Sequence, residues 1–196
     1  MRRGDPLNHR IYAGIKHEWF SVLKGKVLDL GAGTGLNIHY APAQVTSWIF
    51  AEPNLAFSSA IQEYAAKSNI PSEIHPIDAH HITLPDNSVD SVLGTLILCS
   101  VEDPDRVLAE IKRILKPGGY FVFIEHVASD HLWTRRAQNG FNPISRRIAD
   151  GCNCNRATRA VIESAGFEQV AIKEYHLRQM PVFHRPHIAG WAWKAS

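Results

Sequence analysis

Glycines at alternate positions, Gly31, Gly33 and Gly35, follow the run VLDL in VLDLGAGTGLN (27–37). Glycines so spaced leave a bare backbone that a ligand can approach closely, and Asp29 stands two positions before the first. The spacing departs from the G-x-G-x-x-G of dinucleotide sites. A tight strand-to-helix turn would by itself account for such glycines. A second acid, Glu52, closes the next apolar run, SWIFAE (47–52), and is followed by Pro53. A carboxylate at that place accepts the two hydroxyls of a ribose. The two features in this order point to a nucleoside ligand.

Other reactive types are scattered. Of the eleven histidines, His126 ends a predicted strand, and His187 lies with Arg185 just before the last one. Any of these three side chains can hold an anionic nucleophile by charge or hydrogen bond, or can simply be packed. The three cysteines are an odd number for a disulfide framework. Cys152 and Cys154 form a C-x-C that lacks the spacing of a zinc knuckle or a redox pair, so reduced thiols and no metal are expected. Cys99, just past the fourth predicted strand, is expected to be packed.

The elements that position these residues form one α/β pattern. Helices are expected over 8–23, from about Leu36, and over 54–67, 103–115 and 155–165. Strands are expected over 27–30, 47–52, 73–77, within 88–98, and over 120–127, 167–175 and 187–195. Asp103 and Pro104 read as cap and first turn of their helix, and KPGG (116–119) as a turn. Alternating strands and helices imply a mostly parallel sheet with helices on both faces. The last two strands are joined by a loop alone, so they pair as a hairpin and one enters antiparallel. Residues 130–154, polar and Arg-rich with weak periodicity, read as an insertion on the acceptor side.

Composition sets the limits. The 196 residues suit a single domain over 1–196, with residues 1–25 as an N-terminal helix or lid. A net charge of +2, from 21 basic and 19 acidic residues, excludes the basic face expected of a nucleic-acid binder. The mean hydropathy of -0.17 is that of a soluble globular protein, and no apolar segment approaches bilayer length. A cytoplasmic protein is therefore expected, with at most weak peripheral membrane contact through Arg2, Arg3 and the first helix, where Trp19 and Phe20 lie.

VLDLGAGTG, AEPN, the IDA of 77–79 before LPDNSVD, and RILKPGGYF resemble the ordered motifs of class I S-adenosylmethionine-dependent methyltransferases. LILCSVEDPDRVLAEIKRILKPGGYFVFIEHVA (96–128), DGCNCNRAT (150–158) and RPHIAG (185–190) resemble the small thiol S-methyltransferases of the methyltransferase-like group. Animal members of that group carry an apolar N-terminal anchor, whereas this chain begins with a short polar segment.

The resemblance implies a Rossmann-like, seven-stranded sheet and S-adenosyl-L-methionine as cofactor. It places Gly31, Gly33 and Gly35 against the methionine end, with Asp29 orienting the loop or reaching the ligand's ammonium through water. Glu52, beside Pro53, takes the ribose. Asp78 and the Ala79 N–H read the adenine, and Thr95 and Leu96 lie under the methionine. His126 and His187 are the candidates for stabilising the nucleophile. Tyr12 is either a lid residue or ordinary helix packing, and Asp90 is a polar strand start. The implied reaction is methyl transfer to a small-molecule acceptor, foremost a thiol or sulfide. The alternatives are a small amine, phospholipid headgroup or quinol precursor methylated on nitrogen or oxygen, and a non-catalytic cofactor-binding module.

Overall fold

The structure, a computed structural model, describes residues 5–149 and 151–195. In chain order the elements begin α1 (Asp5–Trp19), β1 (Gly25–Leu30), β2 (Val45–Ala51), α2 (Ser58–Ser68), β3 (Ser72–His75) and β4 (Val89–Thr95). They continue with α3 (Pro104–Ile114), β5 (Leu115–His126), α4 (Leu132–Ile148), α5 (Thr158–Ser164), β6 (Gln169–His176) and β7 (Pro186–Trp193). The strands form one seven-stranded sheet in the order β3-β2-β1-β4-β5-β7-β6. All pairings are parallel except those of β7, which runs antiparallel to both β5 and β6. The expected terminal hairpin is therefore present, and its second strand is the one that slots in beside β5.

Burial on both faces explains the near-continuous apolar runs of the central strands. Along β5, Phe121 and Phe123 pack into one core with Leu28, Leu30 and Ile111 of the strand and helix beneath. The alternate Val122 and Ile124 pack into a second core with Trp48, Phe50, Tyr12 and Ile15. Connections leave β1 toward β2 and β3 on one side and β4 on the other. The carboxyl ends of β1 and β4 thus mark the point where the strand order reverses, where open α/β sheets bind ligands.

Four expectations change. The helix from Leu36 is a short 3-10 turn, Leu36–Tyr40. Pro42 forces Ala41 into an extended conformation, which leaves too few residues for an α-helix. KPGG lies within the span of β5, where Gly118 has φ 78 and a register shift between Val89 and Ser91 absorbs the extra length. Residues 132–148 form a helix of 17 residues despite Pro143. It escapes the periodicity test because its two fully buried side chains, Gln138 and Ser145, are polar. Lastly, the first helix offers no Trp-Phe pair to a membrane. Phe20 is buried, and the Trp19 indole donates to the Tyr175 hydroxyl at 2.7 Å. Arg2 and Arg3 lie outside the described residues. Among the described residues no helix is long and apolar enough to cross a membrane.

Candidate active site

A cavity of about 490 Å³ opens at the carboxyl ends of β1, β2 and β4, a size typical of ligand pockets. Seven of the residues singled out in the sequence line it: Tyr12, Gly31, Gly33, Glu52, Pro53, Thr95 and Leu96. Asp29 and Gly35 stand behind the wall. Asp78 and Ala79 do not line it, and Asp78 instead accepts from the backbone N–H of His80 at 2.8 Å and meets His80 Nδ1 at 3.0 Å.

The three glycines do different jobs, against the expectation that all would face the ligand. A Cβ on Gly33 would meet nothing within 4 Å, so its missing side chain leaves room in the cavity itself. A Cβ on Gly31 would sit 2.8 Å from the tip of Ile97. On Gly35, at φ +82, it would press on the Ile61 backbone at 3.0 Å and on Phe50. Gly35 therefore serves the packing of α2 against the sheet.

The acids are held firmly. One Glu52 oxygen accepts from Gly33 N–H at 2.8 Å and the other from Asn54 N–H at 2.9 Å. That fixes the carboxylate at the cavity rim with lone pairs to spare for hydroxyl donors. Asp29 is fully buried, and Asn37 Nδ2 donates to its Oδ1 at 3.0 Å and to Thr95 Oγ1 at 3.4 Å. This chain of contacts ties the ends of β1 and β4 to the 3-10 turn that follows the glycines. Burial raises the Asp29 carboxyl to about 7, although the Asn37 bond and the Lys16 charge pull it the other way. Lys16, buried and on the cavity wall, gave no signal in the sequence. It lies one helical turn beyond Tyr12, which lines the same wall.

The two candidate histidines are both buried. His126 and His187 are cross-strand neighbours on β5 and β7, with ring centroids 4.3 Å apart. Burial holds His126 well below the usual histidine range and His187 down at about 4, so both are neutral near pH 7. Neither lines the cavity. His187 Nδ1 donates to Arg185 O at 3.0 Å, which leaves Nε2 to accept the Tyr12 hydroxyl at 2.8 Å. The role of His187 is thus to orient Tyr12. Tyr12, buried on α1, is both a packing residue and part of the wall. Asp90 behaves as expected of a strand start, accepting from Lys26 N–H and Lys116 Nζ at 2.8 Å each.

Glu125 was invisible in the sequence, a single acid inside a buried strand. Its carboxylate accepts from the N–H groups of Ile97, Leu98 and Cys99 at 3.0, 2.8 and 3.0 Å. Leu96, at φ 59, turns the chain into the left-handed region so that these three amides converge. Such a backbone costs about 1–3 kcal/mol and persists where its surroundings impose it. The turn also carries Cys99, which packs with Cys152 and Cys154 beneath Leu96. The inner end of α4 is fastened nearby. Gln138 Nε2 donates to Val127 O at 2.9 Å and Cys154 O at 2.7 Å, and its Oε1 accepts from Ser129 N–H at 2.8 Å.

A sheet of this order, with a bare glycine turn and a strand-end carboxylate around a cavity at its switch point, defines a class I S-adenosylmethionine-dependent methyltransferase. Residues 28–123 match the family described as Methyltransferase domain. The chain is 33% identical to thiol S-methyltransferase TMT1B of Homo sapiens over 96% of its own length and 82% of that protein's. It is 34% identical to thiol S-methyltransferase TMT1A of Homo sapiens, over 93% and 79%. The methyltransferase solved with the Trm112 activator of Haloferax volcanii shares the fold, with a TM-score of 0.75 at 16% identity over 99% of this chain and 94% of that one. The chain belongs to the S-adenosylmethionine-dependent methyltransferase family that includes TMT1A and TMT1B, and its cofactor is S-adenosyl-L-methionine.

Proposed function

We propose that this enzyme methylates the sulfur of a small thiol or sulfide. One observation carries the reading: among the described residues, none that lines the cavity around Tyr12, Leu96, Ile97 and Ser100 is a carboxylate or a histidine. Glu52 is the only acid among the described lining residues, and it sits two strands away, just past the end of β2. An amine or alcohol needs a base to become a nucleophile, whereas a thiol with a pKa near 8.5 is already partly ionised at neutral pH. The names of the human relatives support the same acceptor class.

The cofactor brings a methyl group on a sulfonium, already electrophilic. The chain's own part is to hold, align and exclude water. Gly33 makes room, Glu52 beside Pro53 takes the ribose, and Thr95 and Leu96 support the methionine end. Asp29 holds the turn through Asn37. Lys16 offers its charge to the cofactor's carboxylate. Asp78 and the Ala79 N–H reading the adenine would require Asp78 to release His80. Residues 1–25 act as a lid through Tyr12, and 130–154 form the acceptor side of one domain over 1–196. The protein works in the cytoplasm on a soluble acceptor, and co-sedimentation with liposomes at physiological salt would contradict that.

The test is methyl transfer from labelled cofactor to a panel of sulfide, alkyl thiols, amines and phenols. Sulfide or thiols should turn over. Inert thiols beside a methylated amine, phenol or lipid headgroup would overturn the reading.

A further inference from the structure

Three potential ligand atoms converge beneath Leu96. Cys99 Sγ lies 3.7 Å from Cys152 Sγ, and His126 Nδ1 lies 3.3 Å from Cys152 Sγ and 3.7 Å from Cys99 Sγ. All three residues are buried, and they come from three separate places: the turn after β4, the end of β5 and the loop after α4. We propose that Cys99, Cys152 and His126 form a zinc site whose fourth position takes the sulfur of the acceptor thiol.

The distances are those of a ready ligand set. Zinc held at about 2.3 Å from sulfur and about 2.0 Å from nitrogen separates tetrahedral ligands by roughly 3.8 Å for S···S and roughly 3.5 Å for S···N. The triangle observed is one face of that tetrahedron. A disulfide would need the sulfurs at about 2.0 Å and would leave the imidazole without a part.

The ligands are pre-positioned by bonds that do not involve them as donors to a metal. Glu125 holds the backbone of the Cys99 turn. Asn153 N–H donates to Cys99 O at 2.8 Å, locking the Cys152 loop onto that turn. Thr158 Oγ1 donates to His126 O at 3.0 Å. Coordination through Nδ1 places the imidazole proton on Nε2. The imidazole ring itself is held between those of His184 and His187, with centroids 4.9 and 4.3 Å away, and fixed ligand geometry of this kind is what metal affinity requires.

Charge and softness favour zinc. Two thiolates and a neutral imidazole cancel its two charges, so the loaded site is neutral and suits burial. Thiolate with imidazole is a zinc-type donor set, and three protein ligands with an open fourth position are the pattern of catalytic rather than structural sites.

The location serves the proposed reaction. Leu96 packs on the sulfurs and lines the cofactor cavity. Ser100, with Oγ 3.7 Å from Cys99 Sγ, lines both that cavity and a second one of about 750 Å³ flanked by Gly151 and Asn153. A thiol reaching the metal gives up its proton to solvent and binds as thiolate. A sulfur lone pair then forms the bond to the methyl carbon while the donor's carbon–sulfur bond breaks, and its electron pair stays on the departing sulfur. The neutral thioether product is a poorer ligand and leaves. The fourth position rests on the thiol reading above; the three-ligand site does not.

The full chain, stripped by chelation under reducing conditions and titrated with zinc against a chromophoric competitor, should take up one ion. Cobalt in its place should give a tetrahedral thiolate spectrum that shifts when an alkyl thiol is added without cofactor. Cys154→Ser should bind zinc as the wild type does, because the Cys154 sulfur, though packed beside the others, is directed to Gln138 O and Asn142 Oδ1 and is not one of the three converging ligand atoms. Cys99→Ser, Cys152→Ser and His126→Ala should bind at least about 100-fold more weakly. If these variants do not fold, the wild type decides. No uptake at micromolar free zinc overturns the site, and a cobalt spectrum unmoved by thiols overturns the fourth position. Zinc uptake with no thiol methylated leaves the site standing and sinks the thiol reading. Full-rate thiol methylation by zinc-free protein does the reverse, removing the metal's role and keeping the acceptor.

Discussion

Two acids on the same sheet edge have opposite chemistry because of burial. Glu52 stands at the cavity rim, pinned by the N–H groups of Gly33 and Asn54. Glu52→Ala removes the ribose acceptor and a support of the glycine turn. Cofactor affinity, measured by calorimetry, should fall by about 1–3 kcal/mol. Asp29 is sealed inside and is protonated up to about 7, whereas an unfolded aspartate ionises near 3.8. Between those values the native state holds the extra proton. Stability of the cofactor-free protein should therefore fall as pH rises from about 4 to about 7, by up to about 4 kcal/mol. Urea unfolding across that range reads it directly, and Asp29→Asn should flatten the curve. An equally steep curve in that variant would assign the pH dependence elsewhere.

At the scale of elements, the turn between β1 and the 3-10 segment separates binding from folding. Gly33 and Gly35 both need the left-handed region, at φ 55 and 82, and an alanine costs about 1 kcal/mol or more in either place. Beyond that they diverge. The Cβ of Gly33→Ala enters open cavity, so cofactor affinity should drop more than stability. The Cβ of Gly35→Ala meets the Ile61 backbone at 3.0 Å, so the loss should appear chiefly in the unfolding midpoint. Comparing calorimetric affinity with chemical denaturation for the two variants separates these effects. A similar division runs through α4. Its outer face exposes Trp133, Ile144 and Ile148, while Gln138 bonds inward to three segments, at Val127 and Ser129, at Cys154 and at Phe183.

The whole molecule brings two halves of a reaction together. The carboxyl edge of the sheet forms the cofactor half from the glycine turn after β1, the acid after β2 and the turn after β4. The other half is assembled from α1, the Cys99 turn, the end of β5, the loop after α4 and the entry to β7. With both buried histidines neutral and no carboxylate beside Leu96 among the described residues that line the cavity, ionisation of the acceptor thiol itself should set the pH dependence. At subsaturating acceptor the rate should climb with pH and level off once the bound thiol is ionised. Thiols of lower pKa should reach the plateau at lower pH. A profile that is the same for all acceptors would place the controlling ionisation in the protein.

The cofactor half was legible because its signals are local. A buried run, a turn that only glycine fits and an acid closing the next strand are each written in a few consecutive residues. The alternation of strands and helices likewise implied a parallel sheet, and the missing last helix implied the antiparallel strand. The sequence alone therefore determined the fold, the cofactor class and the loop that receives it. The groups of the proposed acceptor half meet only in the tertiary structure. Tyr12 and His187 meet across 175 residues of chain. Glu125 is one acid in a run of buried residues, and nothing local shows that a turn 26 to 28 residues earlier presents three amides to it. For His126 the sequence left charge, hydrogen bonding and plain packing open, and only the fold shows how deeply it is buried. Cys99 and Cys152, 53 residues apart, come into contact only because β4, β5 and the loop after α4 converge. Contacts of that range leave no periodicity behind, since each partner is free to be any residue its own segment tolerates.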